Sequence, residues 1–436
     1  MKKYTFSTLL LAALYVSTAA VAQTNGSNSP YSRYGFGLLA DGAGGFNKAM
    51  GGAGLALHDG KELNFRNPAA YSAIDSLTFI FDIGASLQNA NLKQGALSTN
   101  ARNTSIDYVN LGFRLSPNFG MAVGLVPYST IGYAMKGQDT FDQTTGTVTQ
   151  TDQYAGNGGL HEAYAGVGWR PFKPVSLGVN AGYLWGEMSH TVTASFSQSN
   201  IDSRKRQYGG EVRSYKIDAG MQFYIPLHKK HELTLGLTYG LGHGLGSKAY
   251  FYDQKITGSS ITSGDTLVLR DAYAMPHSFG TGIAWNYNNR LRIAADYTIQ
   301  KWGSLKFPTV ETHGGMLALA DRKGAYKDMH RISAGIDFIN KPDGFRWGDF
   351  IRYRAGFSYT SSYTLVDGHD GPTSYLVSAG VGLPVINRHN NRSLVNVAIQ
   401  YERVKPKAAG MITENYLRLC LGITFNERWF MKWKVD

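Results

Sequence analysis

Hydrophobic and polar residues alternate with period two along most of the chain after residue 77. In "YLRLCLGITF" (Tyr416–Phe425) the odd positions are Leu417, Leu419, Leu421, Ile423 and Phe425. The even positions are Tyr416, Arg418, Cys420, Gly422 and Thr424. Successive side chains of a strand point to opposite faces, so one face here is continuously apolar and the other polar or small. "LVNVAIQY" sets Val395, Val397, Ile399 and Tyr401 against Asn396, Ala398 and Gln400. "LRIAADYTIQ" sets Leu291, Ile293, Ala295, Tyr297 and Ile299 against Arg292, Asp296 and Gln300. In "IRYRAGFSY", Arg352 and Arg354 oppose Ile351, Tyr353 and Phe357.

About fourteen such segments follow one another: 77–90, 103–115, 118–135, 160–170, 174–190, 211–226, 230–246, 271–287, 290–303, 326–339, 350–362, 373–386, 392–403 and 414–428. A soluble β-sandwich also alternates. Its strands, however, are typically about five or six residues long, and its wet face is rich in Lys and Glu. Here the segments are longer and the polar faces carry many Gly and Ala. The connections sort themselves as well. "SPN", "RPFKP", "LHKKH", "NYNNR", "NKPDGFRWGD" and "INRHNN" fall at every second junction, while 91–102, 136–159, 191–210, 247–270 and 304–325 are mostly longer. Short periplasmic turns alternating with long outer loops belong to outer-membrane barrels. The expected fold is therefore all-β: a transmembrane antiparallel β-barrel of about fourteen strands, with both termini periplasmic and outer-membrane lipids around it.

The first residues support that compartment. Lys2 and Lys3, the apolar stretch Phe6–Val16 and the small-x-small triplet Ala20-Val21-Ala22 form a secretory signal peptide over 1–22. No cysteine follows the cleavage site, which excludes a lipoprotein, and the single Cys420 excludes an intramolecular disulfide framework. Mean hydropathy is −0.23, as expected where only every other residue meets lipid. The 52 Gly, 27 Tyr, 21 Phe and 7 Trp suit strands, interfacial girdles and close backbone packing. Net charge is +12, or +10 without Lys2 and Lys3, but the cations are scattered and no arginine-rich tract appears, so no nucleic acid is expected as a partner. At the other end, Trp429, Phe430 and Trp433 would sit in the interfacial girdle, with Lys432 and Lys434 reaching the headgroups.

A barrel of about fourteen strands is too wide for its own side chains to fill. Residues 23–76 are the candidate plug, leaving 77–436 as barrel. Glycines from Gly42 to Gly54 permit close packing inside a lumen, and Asn67-Pro68 favours a turn. With the signal peptide, the small-residue N-terminal segment, the "NPA" of Asn67, Pro68 and Ala69, and the aromatic last strand, the chain resembles the FadL/TodX-type outer-membrane proteins. The resemblance implies that the N-terminal segment is a hatch inside the barrel and that Asn67, Pro68 and Ala69 form its motif. It implies passive transport of a hydrophobic ligand, such as a long-chain fatty acid, through a wall opening at a kink in the third strand. In "NFGMAVGLVPYSTIGYAMKG" that lateral gate would be Pro127, Tyr128 and Gly132, since proline cannot donate to the sheet ladder; the alternative is that Pro127 only ends the membrane-spanning part of the strand.

Two features depart from the transporters. The mature N-terminus "QTNGSNSPYSRYG" is polar, and the inferred lumen face is charged. An ion network is expected there from Asp82, Arg114, Asp218, Arg292, Asp337, Arg352 and Arg354, with Asp107, Lys216, Asp296, Arg331 and Arg418 on the same face and Arg66 and Asp75 as hatch partners. Those charges would lock the hatch. The resemblance includes members that serve as partners in envelope machinery, such as outer-membrane assembly or type IX secretion, and the departures point toward such an envelope protein complex. No catalytic residue, metal ligand set or cofactor motif is identified. G-x-S-x-G is absent, and His161-Glu162 and His231-Glu232 lack a second histidine four residues on.

Overall fold

The computed structural model describes residues 27–428 except 77, 144–145, 199, 259, 314–315, 367 and 386–392. The expected signal peptide, the "INRHNN" turn and the aromatic tail from Trp429 onward therefore lie outside the described residues.

The chain winds through fourteen antiparallel barrel strands: β1 (Thr78–Gln94), β2 (Leu97–Ser116), β3 (Phe119–Pro127 and Ser129–Gln143), β4 (Gly146–Phe172), β5 (Val175–Phe196), β6 (Ser203–His228) and β7 (His231–Gly240 and Ser247–Thr257). They continue with β8 (Ser260–Arg270 and Ser278–Tyr287), β9 (Leu291–Gln300), β10 (Met329–Ile339), β11 (Arg352–Thr360), β12 (Thr373–Val385), β13 (Ser393–Lys405) and β14 (Thr413–Arg428). The barrel closes where β14 pairs with β1, from Thr78 opposite Arg428 to Lys93 opposite Thr413. Exposure follows the sequence alternation: Leu417, Leu421 and Ile423 of β14 face outward, while Cys420 and Thr424 are buried inside. Tyr353 and Phe357 likewise face outward, with Arg352 and Arg354 buried opposite them.

The long connections differ from the expected loops. Residues 136–159, 191–210 and 247–270 are mostly strand, and a separate hairpin (Lys306–His313 with Met316–Lys323) stands between β9 and β10. Beyond lipid, a strand can expose both faces to water, so the period-two signal fades although the ladder continues. One end of the barrel thus carries short turns and the other tall hairpins.

The N-terminal segment lies against the inner wall. A short helix, α1 (Gly45–Ala49), packs on β11–β14 and β1, and a 3₁₀ helix, Pro68–Ala73, packs on β2–β6. Close approach is possible because the wall presents glycine at the contacts. A Cβ at Gly178 would strike the Pro68–Ala69 backbone, and one at Gly356 would strike Met50–Gly51.

Candidate functional site

Two features of the interior could carry function: the way the N-terminal segment is fastened, and the place where the wall is not hydrogen-bonded to itself. Fastening begins at the Asn-Pro-Ala turn. The Asn67 side-chain oxygen accepts the Ala69 N–H at 3.1 Å, capping the 3₁₀ helix, while Pro68 supplies a fixed φ at its first position. The amide nitrogen of Asn67 donates to the Leu55 carbonyl at 2.7 Å and to the Met221 carbonyl of β6 at 3.2 Å. One side chain thus shapes the turn and ties it to the wall. Ser72 adds a bond to Ser176 of β5 at 2.9 Å.

Toward the turn end, charge does the fastening. Asp59 receives Arg292 of β9 and Arg352 of β11, each at 2.9 Å. Glu62 receives Arg354 at 2.6 Å and Arg352 at 3.1 Å, and accepts from the Asn396 amide of β13 at 3.0 Å. Asp337 of β10 bridges all three arginines, making its shortest pair with Arg292. Three arginines meet three carboxylates, so this buried cluster is neutral and each charge has a partner, as a low-dielectric site requires. Burial alone would raise the Asp59 carboxyl, but Arg352 and Arg292 hold it far below the ordinary carboxylate range. Beside it, burial lowers the His58 imidazole to about 4, with Arg170 and Arg292 adding to the effect.

The structure brings together Arg292, Asp337, Arg352 and Arg354 of the expected network and leaves out three members. Asp82 is bonded instead to Thr424 at 3.0 Å. Arg114 donates to the Ile74 and Ser116 carbonyls, each at 3.0 Å, at the turn end. Asp218 belongs to a second cluster with Lys216 and Glu162. The acids that the N-terminal segment brings to this cluster are Asp59 and Glu62, and Arg66 donates to the Asp41 carbonyl at 2.8 Å. Asp59 and Glu62 stand in "HDGKELN", which has no periodicity to mark a side chain as wall-facing; their short spacing to the NPA turn was the available signal.

Other wall residues hold the segment's backbone. Asp296 accepts the N–H groups of Gly54 and Leu55 at 2.6 and 3.0 Å. Ser378 donates to the Ala49 carbonyl and accepts from the Gly51 N–H, both at 2.9 Å. Gln400 donates to the Lys48 carbonyl at 2.8 Å, and Lys48 pairs with Asp107 of β2 at 2.9 Å. Together with the contacts above, the segment touches every one of the fourteen strands.

The second feature is a seam. β2 and β3 pair only from Val109 opposite Leu125 to Ser116 opposite Phe119. Above that height β2 pairs with β1 alone, and the second half of β3 pairs with β4. The break in β3 falls at Tyr128, after Pro127, and β4 follows it by taking positive φ at Gly158 (113°) and Gly159 (135°). The N-terminal segment bonds both backbone groups of Gly132. Its N–H donates to Ser32 Oγ at 3.2 Å and its carbonyl accepts from Ser27 Oγ at 3.1 Å.

The seam is filled by the protein itself. Leu38 and Leu39 form a two-residue strand against Thr130 and Ser129 of β3. Asn28 donates to Asn103 of β2 at 2.8 Å, and Ser29 donates to Glu414 of β14 at 2.7 Å. Further inward, Phe36 is buried in an aromatic cluster with Tyr273, Trp302, Tyr326 and Tyr363. The Tyr363 hydroxyl donates to the Gly37 carbonyl at 2.6 Å and accepts from the Phe36 N–H at 3.0 Å.

No group of His, Cys, Asp and Glu side chains among the described residues could hold a metal ion. Glu162 and His161 lie on opposite faces of β4, the first with Lys216 and the second stacked on Trp185.

Solved structures share this architecture. The CymD monoaromatic hydrocarbon channel matches with a TM-score of 0.59 and 15% identity, covering 90% of this chain and 100% of CymD. A Pseudomonas aeruginosa FadL homologue matches at 0.62 and 13% identity, with 89% and 99% covered. The Pseudomonas putida toluene transporter TodX matches at 0.59 and 14%, with 90% and 99% covered. These likenesses are of fold: a FadL-type outer-membrane barrel. A search of curated proteins finds no sequence match. The BamG family, in contrast, matches residues 1–436, the entire chain. This chain belongs to the BamG family, on a barrel of the FadL type.

Proposed function

We propose that the protein is a closed outer-membrane barrel whose N-terminal segment is a locked hatch, and that it works as a partner or scaffold in an envelope protein complex. The observation that carries this reading is the filled seam. Residues 27–39 occupy the wall opening through which a hydrophobic ligand would leave, and Phe36 fills the apolar volume such a ligand would occupy. The neutral cluster of three arginines and three carboxylates holds the other end of the same segment. In this reading the turn end faces the periplasm. A cysteine placed at Phe345 in that end should react with an impermeant maleimide only after the outer membrane is permeabilised.

The transport reading keeps one specific support, the separation of β2 from β3 beside Pro127 in a fold shared with toluene and hydrocarbon channels. One experiment divides the two. Proteoliposomes of the full mature chain are loaded with an enzyme that reports entry of toluene or a long-chain fatty acid. The closed-barrel reading expects the rate of protein-free liposomes. Uptake several-fold faster, slowed by an Asn28→Cys/Asn103→Cys crosslink across the seam, would establish transport in its place.

A further inference from the structure

The turn end carries a feature that neither the seam nor the ion cluster uses. A cavity of about 490 Å³ opens there between residues 56–61 and 72–75 of the N-terminal segment and the wall ends, with Arg170, Glu232, Pro342, Asp343 and Phe350 among its lining. The lining mixes signs, with Asp59, Asp75, Glu232 and Asp343 among its acids, but the turns that rim the mouth are mostly basic. The five described turns (116–118, 170–174, 227–231, 286–290 and 340–349) carry seven cations: Arg170, Lys173, Lys229, Lys230, Arg290, Lys341 and Arg346. They carry two acids, Asp343 and Asp349, and Asp349 is committed to the turn itself.

The longest of these turns is built rather than loose. Lys341 N–H donates to the Asp349 carbonyl and Gly344 N–H to the Lys341 carbonyl, both at 3.1 Å. Arg346 N–H donates to the Asp349 carboxylate at 3.1 Å, and the Trp347 indole N–H donates to the Pro384 carbonyl of β12 at 2.8 Å. At its tip this ordered turn holds Phe345 100% exposed, between Gly344 and Arg346. Phe172 and Leu227 are also exposed, in the basic turns 170–174 and 227–231 farther round the rim. An exposed aromatic beside an arginine has the composition of a binding hot spot, and the cations around it would steer an acidic partner.

We infer that this mouth is a docking surface for an acidic, extended polypeptide segment of a periplasmic protein, with an apolar side chain of that segment meeting Phe345. This rests on the partner reading above. A polypeptide is favoured over lipid headgroups because Pro342 and Asp343 of the same turn line the mouth, which leads into the lumen and away from the bilayer.

The test uses the full mature chain in nanodiscs of zwitterionic lipid and a short fluorescent peptide of repeating Glu-Glu-Leu, with a Lys-Lys-Leu peptide as control. The acidic peptide should bind in the micromolar range and weaken several-fold as salt rises from about 0.05 to 0.2 M. Charge reversal by K229E/K230E/K341E/R346E should cost at least tenfold, and Phe345→Ala about tenfold, with gel migration of the folded barrel unchanged in both. Equal binding of the two peptides, or indifference to both variants, would overturn the proposal. So would thermal stabilisation of wild type but not of the quadruple variant by anionic-lipid nanodiscs with no peptide bound, which would make the rim a headgroup anchor. Proteoliposome uptake is a separate readout, so an open barrel that still binds the peptide would defeat the closed-barrel reading alone.

Discussion

The two halves of the lumen hold the same N-terminal segment by opposite means. Near the turns, Asp59 and Glu62 are clasped by Arg292, Arg352 and Arg354. Near the hairpins, Phe36 sits among Tyr273, Trp302, Tyr326 and Tyr363, and short polar bonds from Ser27, Asn28 and Ser32 close the seam. An ion cluster is directional and fails badly when one member is lost, because the remaining charges are stranded. An aromatic cluster is non-directional, loses surface in proportion to what is removed, and can partly close over a gap. The segment is therefore brittle at one end and compliant at the other.

The largest effect is expected at the brittle end. Glu62→Ala leaves Arg354 buried with Asp337 as its one remaining acid and should cost roughly 3–5 kcal/mol. The fall should appear as a lower temperature for loss of the heat-modifiable folded band, with ion conductance emerging in planar bilayers. A conductance and melting temperature equal to wild type would mean the cluster does not hold the segment.

Phe36→Ala should cost about 3 kcal/mol, at the low end for a buried aromatic because four rings surround the gap and can move inward. Protease cleavage within residues 27–39 of the detergent-solubilised barrel should speed up, while the Glu62 end stays protected. Equal loosening at both ends would show that the segment releases as one unit, with no brittle and compliant halves.

Acid should separate the halves next. His58 binds a proton less readily in the folded chain, where it sits near 4, than in the unfolded chain, where its value is 6.5. The unfolded state therefore holds more protons between those values. Stability is full above pH 6.5 and falls as pH drops toward 4, by roughly 1–2 kcal/mol because part of the ring faces the mouth. Asp59, held low by its arginines, contributes stability present above its ordinary 3.8 and lost at lower pH. His58→Gln should flatten the first window and leave the second. Thermal melts from pH 7 to 3 decide it, and an unchanged slope in the variant would rule His58 out.

The smallest effect belongs to a single polar group within the compliant end. Tyr363→Phe removes the acceptor of the Phe36 N–H and the donor to the Gly37 carbonyl, costing about 1–2 kcal/mol. Hydrogen exchange should rise at Phe36 without change at Gly54 or Leu55, whose N–H groups are held by Asp296.

What the amino-acid sequence determined by itself was whatever depends on neighbours two residues apart. The outward Leu417–Phe425 and Tyr353–Phe357 faces, the inward Arg352 and Arg354, and the alternation of short and longer connections are all local patterns, and they specify the barrel. Where that pattern lapses, the tertiary structure decided. The hairpins beyond the membrane lack a continuous apolar face, so their ladders were not legible as period-two runs in the sequence. Asp59 and Glu62 find arginines more than two hundred residues away because the closed wall places β9, β11 and the segment at one height. The role of Pro127 was open for the same reason. A proline can end a strand or break one, and the unpaired stretch of β2 beside Tyr128, filled by Leu38 and Leu39, is a relation between three distant pieces of chain that no single stretch encodes.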